Sequence, residues 1–183
     1  MTLYKVTGPD GLPCHGGSDA WSLPKNGIPG AWRKVKGELE PCKNGLHLCE
    51  AKHLIDWLGP VIWEAETRGD RIDQTNKVVV REARLIRQCE WNEQIERLFA
   101  ADCAERVLHI ANDKRCDDAV LAARQFAFGF IDDAASAAAR DAASAAARDD
   151  EREWQNNRLI EYLTGKVDIG AIRKSVEKTD GTS

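Results

Sequence analysis

The chain has 183 residues, a formal charge of -4, and acids and bases interspersed along its length. That length can bury a core without disulfide or metal staples, and the charge balance leaves no broad basic surface for sequence-independent phosphate binding, so nucleic acid is not the expected partner. No window approaches the ~18 apolar residues of a spanning helix, and the start Met1-Thr2-Leu3-Tyr4-Lys5 lacks the layout of an export signal. A soluble cytoplasmic protein with no membrane partner is expected, its six cysteines reduced.

In chain order, Leu3 to Thr7 reads as an opening strand that ends at the turn signal Gly8-Pro9-Asp10-Gly11. Residues 11 to 41 carry Pro13, Pro24, Pro29 and Pro41 among repeated glycines, which excludes a long helix or a central strand. A loop of this length is functional or packed by its own side chains. Trp21 and Trp32 fit either role: they fasten the loop to the body, or one of them walls a ligand site by stacking on a planar ring.

The richest chemistry lies in Cys42 to Thr67. Gly45 to Cys49 reads as a strand, Ala51 to Leu58 as two turns of helix, Gly59-Pro60 as a break, and Val61 to Thr67 as a strand with Glu64 and Glu66 on one face. Arg68 to Asn76 then reads as a polar connection, and Lys77 to Ile86 as the strongest strand in the chain. Strict alternation places Val78, Val80, Glu82 and Arg84 on one face of it. Trp91, Ile95, Leu98, Phe99, Cys103, Val107 and Ile110 form the stripe of an amphipathic helix, with Cys103 a buried, inert thiol.

From Asp117 to Leu163 the chain is dominated by alanine and has one internal glycine, Gly129, a site for a kink or reversal. The octad Asp-Ala-Ala-Ser-Ala-Ala-Ala-Arg occurs twice, at Asp133 to Arg140 and Asp141 to Arg148. Eight residues overshoot two turns by about 80°, so the repeat is not a heptad. An unbroken helix of 47 residues would span roughly 70 Å, which implies a hairpin or a homo-oligomer contact through the Ala-rich helices. A short final helix begins at Asp168, with Ile169, Ile172 and Val176 on one face.

Cys42, His47, Cys49 and His53 place four soft ligands within twelve residues, but the usual two-residue knuckle between cysteines is absent and no metal is expected. Cys14-His15 is adjacent in sequence, and adjacent side chains do not ordinarily form a thiolate-imidazole pair. Glu82 stands among valines, where a carboxylate needs a partner: an ion pair with Arg84 or Arg68, or a cleft shared with His47 and a loop tryptophan.

Two resemblances follow from these residues. Tyr4-Lys5-Val6, Trp21, Pro29-Gly30-Ala31-Trp32, Gly45-Leu46-His47-Leu48-Cys49, Trp63-Glu64-Ala65-Glu66, Val79 to Leu85 and Arg97 to Arg106 together resemble a family of proteins carried by bacteriophages and prophages. Its members often end in Ala- and Asp/Arg-rich repeats like Asp133 to Arg148. This implies a phage setting and no particular activity.

The stretch Gly45 to Cys49, the helix with Trp57, Trp63 to Gly69 and the strand Val78 to Leu85 are also similar, in order and spacing, to ADP-ribosyltransferases of the diphtheria-toxin and poly-ADP-ribose-polymerase type. That resemblance puts His47 at the position of a strand tyrosine, Trp57 near a helix tyrosine and Glu82 closest to the catalytic glutamate, with NAD as the implied cofactor. The family's first motif is represented by His15-Gly16 or by Lys5, and both tyrosine positions are changed.

The expected fold is thus α+β: residues 1–112 as a small split mixed or antiparallel sheet of the ADP-ribosyltransferase-like kind, residues 113–164 as an Ala-rich long helix or hairpin, and residues 165–183 as a short helix and tail. The expected function is a phage accessory protein that binds a nucleotide-like small molecule, of NAD or ADP-ribose type, or a host protein. The alternatives are an interaction protein that works through its Ala-rich helices and an active ADP-ribosyltransferase. His47 and Glu82 are the candidate catalytic residues, and His15, Trp21, Trp32, Trp57, Glu64 and Glu66 the candidate ligand contacts.

Overall fold

The computed structural model describes residues 2–106, 114–131 and 149–180. It is a mixed α+β structure and divides into two compact units, Met1–Trp91 and Asn92–Ser183. The division falls before the boundary expected near residue 112, because the helix that opens the second unit packs against the helices that follow it.

Five strands build the first unit: β1 (Leu3–Thr7), β2 (Arg33–Lys34), β3 (Leu46–Glu50), β4 (Val61–Asp73) and β5 (Val78–Gln88). Every pairing is antiparallel. The order β5-β3-β1-β4 returns to β5 through a β4–β5 pairing, so the sheet closes into a four-stranded barrel with β2 added along β5. Leu3, Leu46, Leu48, Val61, Trp63, Ala65, Val78, Val80, Ala83 and Leu85 fill the interior together with Trp21. Trp63 also donates its indole N–H to the fully buried Thr7 hydroxyl at 2.8 Å.

Three expectations change. The segment Arg68–Asp73 belongs to β4, whose hairpin to β5 turns at Gln74 to Lys77 (N–H to carbonyl, 2.9 Å). Its polar residues stay in a strand because they pair across the edge, Arg81 with Asp70 at 2.8 Å and Arg71 with Glu50 at 2.8 Å. Strict alternation fails in β5, where Val78 and Val80 face inward and so do Ala83 and Leu85. The parity shift lies opposite an irregularity in β4 between Arg68 and Arg71, where Gly69 takes φ +73; such bulges bend a strand and re-aim its side chains. Finally, the turns after β3, Ala51–Trp57, are 3-10 rather than α-helical, with Leu54 buried.

The second unit contains α1 (Glu93–Arg106), α2 (Lys114–Ala127), α3 (Asp149–Leu163) and α4 (Ile169–Asp180). Asn92 caps α1 through its side-chain oxygen to the Ile95 N–H (3.0 Å), and Asp168 caps α4 in the same way to Ala171 (2.9 Å). Gly129 and Gly165 end α2 and α3 in left-handed conformations, φ +75 and +67, which satisfy orphan carbonyls through Phe130 N–H to Gln125 and Lys166 N–H to Glu161. A single helix through Gly129 is thereby replaced by a stop. The octads Asp133 to Arg148, and with them the contact expected of the Ala-rich helices, lie outside the described residues.

At the centre of this unit Asp102 is 4% exposed. Its carboxylate accepts from Arg124 Nη2 (2.8 Å), Arg158 Nε (2.7 Å) and Tyr162 OH (2.8 Å). Arg124 is also held by Glu105, and Arg158 by Glu161. Cys103, expected to be buried, is half-buried.

Candidate functional site

Sheet closure leaves one weak seam. β1 pairs with β4 along all five residues, but with β3 only at Leu3↔Glu50 and Tyr4↔Cys49. Beyond Tyr4 the two strands part, and a pocket of about 450 Å³ opens between Lys5 and Val6 on one side and Leu46 to Leu48 on the other. The loop from Pro13 to Trp21, the turn Cys42 to Gly45, Arg33 of β2, Trp57 and Lys77 complete its walls. This size suits a small molecule.

Residues from both faces of β1 and β3 line the pocket, whereas the edge strand β2 presents one face. Arg33 of β2 and Val35 just after it line the pocket, while Lys34 turns away to pair with Glu82 at 2.8 Å. On β1, Lys5 lies opposite Trp63 and shares the inward face with Leu3. Its ammonium sits 5.6 Å from the Trp21 ring centroid, and the Arg33 guanidinium lies 5.4 Å from the same ring. Arg33 is fixed by Asp19, through a 2.7 Å ion pair and a 2.8 Å bond to its carbonyl. Burial, with Arg33 adding to it, pulls the Lys5 ammonium below its usual range.

His47 Nε2 accepts the Cys42 backbone N–H at 3.1 Å, which leaves Nδ1 to carry the proton of the neutral ring. Burial lowers its pKa, and Lys77 and Lys5 act in the same direction. Lys77 donates to Cys42 Sγ at 3.0 Å, and Cys42 itself is held at φ +66, an uncommon conformation for a residue with a Cβ. Cys49 is buried and donates to the Tyr4 carbonyl, and burial pushes its thiol up to about 12. On the opposite rim, His15 Nε2 donates to the Trp57 carbonyl at 3.0 Å and stands edge-on to the Trp57 ring, 5.4 Å between centroids. Trp57 is anchored by its indole N–H to Asn76 (2.8 Å).

Of the candidate catalytic and ligand-contact residues read from the sequence, His15, Trp21, His47 and Trp57 line this pocket. Trp21 does so as a plug, 6% exposed and part of the interior cluster. Glu82, Trp32, Glu64 and Glu66 do not line it. Glu82 is bound by Lys34 rather than by Arg84 or Arg68. Trp32 carries the Arg68 and Arg84 guanidinium groups at 3.6 and 4.7 Å from its centroid, and Glu64 and Glu66 pair with Arg87 and Arg84, each at 2.8 Å. The parity shift in β5 separates Glu82 from the inward face that Val78, Val80, Ala83 and Leu85 share.

Arg33 and Lys77 are lining residues that sequence reasoning passed over, and Lys5 entered it only as one stand-in for the first motif. The one available signal was Lys5 sharing strand parity with Leu3. Among the described residues no three His, Cys, Asp or Glu side chains gather to hold a metal, and no helix is long and apolar enough to cross a membrane. No family model matches the chain, and neither does any curated protein or solved structure.

Proposed function

We propose that the seam pocket binds a nucleotide-like anionic ligand of the NAD or ADP-ribose type, and that it binds without transferring. The observation that carries this reading is the charge of the lining. In a chain of formal charge -4, the described lining residues include Lys5, Arg33, Lys43 and Lys77 against Asp19 as the lone carboxylate. Phosphate oxygens suit such a concentration of donors, and Trp57 and the two histidines offer flat faces and edges to a base or nicotinamide ring.

The likeness to ADP-ribosyltransferases enters here as support for ligand class. Lys5 or His15-Gly16, His47 and Trp57, the positions matched to that family's ring- and ribose-contacting residues, converge on the pocket. The active-transferase alternative rests on Glu82, whose carboxylate is engaged by Lys34 outside it. In the phage setting implied by the other resemblance, a non-catalytic binder would sequester or sense a host nucleotide.

Calorimetric titration with ADP-ribose, NAD and AMP tests this. Binding is expected to weaken as salt rises, and Lys77→Ala to weaken it by about tenfold, the worth of one charge-assisted contact. Absence of heat with all three ligands at millimolar concentration would remove the reading.

A further inference from the structure

Lys5 differs from the other lysines of the first unit. Lys34, Lys43 and Lys52 are held by Glu82, Glu40 and Glu50, Lys77 by the Cys42 sulfur, and Lys25 and Lys36 are exposed. Lys5 alone points into the barrel interior, beside Trp63 and under Trp21, at the point where the pocket opens. The groups that act on it electrostatically are Cys49, Arg33 and Cys14, with no carboxylate among them. A lysine placed for stability would have a counter-ion, since an unpaired interior ammonium is costly. A lysine placed for chemistry has the opposite need: an amine that has shed its proton and faces a ligand, as in imine-forming lysines.

We propose that Lys5 is a nucleophile of this pocket and captures the aldehyde carbon of an anionic sugar ligand, the open-chain ribose end of an ADP-ribose-type molecule, as an imine. The inference rests on the reading that the pocket takes such a ligand. Arg33, fixed by Asp19, lies over the same Trp21 ring and is placed to hold a phosphate while the carbonyl end reaches Lys5. The nitrogen lone pair forms the N–C bond and the carbonyl π pair moves to oxygen. A proton then passes from nitrogen to that oxygen, giving a carbinolamine. Loss of water forms the C=N bond, so that amine and aldehyde give imine and water with no net redox change. Burial lowers the ammonium's hold on its proton, which raises the share of free amine able to attack.

The test is reductive trapping on the full chain. ADP-ribose and sodium cyanoborohydride are added briefly and the product is read by intact mass and peptide mapping; hydride goes to the imine carbon and a solvent proton to nitrogen, leaving a stable secondary amine. The expected result is one ligand mass per chain, located on Lys5 and absent with NAD, whose ribose carbon is already bonded to nicotinamide. Lys5→Arg, checked for folding by circular dichroism, loses the adduct, and Lys36→Arg keeps it. Label spread over exposed lysines such as Lys25 and Lys36, or label that survives Lys5→Arg, overturns the proposal. Absence of an adduct overturns it while leaving the binding reading intact if calorimetry on the wild type registers ADP-ribose, and takes both down if it does not.

Discussion

Replacing Asp102 is the sharpest test of what holds the helical unit together. Its carboxylate, 4% exposed, accepts two charge-assisted bonds from Arg124 and Arg158 and one from Tyr162. Such bonds are worth about 1.5–3 kcal/mol each where a charge is involved and about 1 kcal/mol for a neutral hydroxyl, a naive sum near 6 kcal/mol. The sum overshoots, because neither guanidinium is orphaned: Arg124 keeps both oxygens of Glu105 and Arg158 keeps Glu161. Breaking a buried pair from one side costs about 3–5 kcal/mol, and the remaining partners place Asp102→Ala at about 3 kcal/mol. With a urea dependence of about 2 kcal/mol per molar, the unfolding midpoint followed by far-ultraviolet circular dichroism should fall by about 1.5 M. Glu105→Ala is the contrast. Its side chain is 54% exposed, so the same assay should register under about 1 kcal/mol. Equal small shifts for both variants would refute the reasoning, since Asp102 would then be acting as a surface charge.

Three further outcomes follow from the first unit. Gly30→Ala places a Cβ 1.9 Å from the Ser22 carbonyl oxygen, backbone against backbone, and should cost about 3 kcal/mol in urea unfolding; a loss under about 1 kcal/mol would mean that the loop shifts freely. Glu82→Gln removes the partner of a lysine whose side chain is 59% exposed, so it should change stability by under about 1 kcal/mol and leave ADP-ribose titration unaltered; loss of binding would return Glu82 to the site. Lys5→Met should stabilise most at neutral pH. Because the folded pKa of Lys5 is lowered, the unfolded chain binds more protons at alkaline pH and wild-type stability gains with pH toward 10.5, so the advantage of the variant should shrink between pH 7.5 and 10; a constant difference would contradict the burial of the ammonium.

What the sequence disclosed tracks how local the cause is. β1, the turn after it, the Gly45 strand and the valine strand are set by near neighbours, as are the stop at Gly129 and the cap at Asp168, and all were legible. The extension of β4 was not, because Arg68, Asp70 and Arg71 are polar on both faces and become strand residues only when β5 and β3 supply Arg81 and Glu50 as partners. Glu82 was assigned to the valine face because alternation was carried through a parity shift whose origin lies on another strand. The site divides in the same way. His47 could be placed by strand parity with Cys49, whereas the pocket depends on β1 lying beside β3 and then parting from it, a pairing between segments some forty residues apart in sequence.

The charge of the pocket bears on what chemistry it can support. Transfer of ADP-ribose passes through an oxocarbenium-like state, and enzymes that stabilise such states place a carboxylate beside the developing positive charge. Here the lone carboxylate, Asp19, is paired with Arg33, while burial and the nearby lysines keep His47 neutral and burial keeps the Cys49 thiol protonated. A unit positive charge about 5 Å from a developing cation, at an effective dielectric near 20, opposes it by about 3 kcal/mol, or roughly a hundredfold in rate. The same cations favour a bound pyrophosphate. The protein should therefore bind NAD without releasing nicotinamide, as measured by chromatography of reactions run with and without it. Release that scales with protein concentration and disappears in Glu82→Gln would show that a carboxylate reaches the ribose after all.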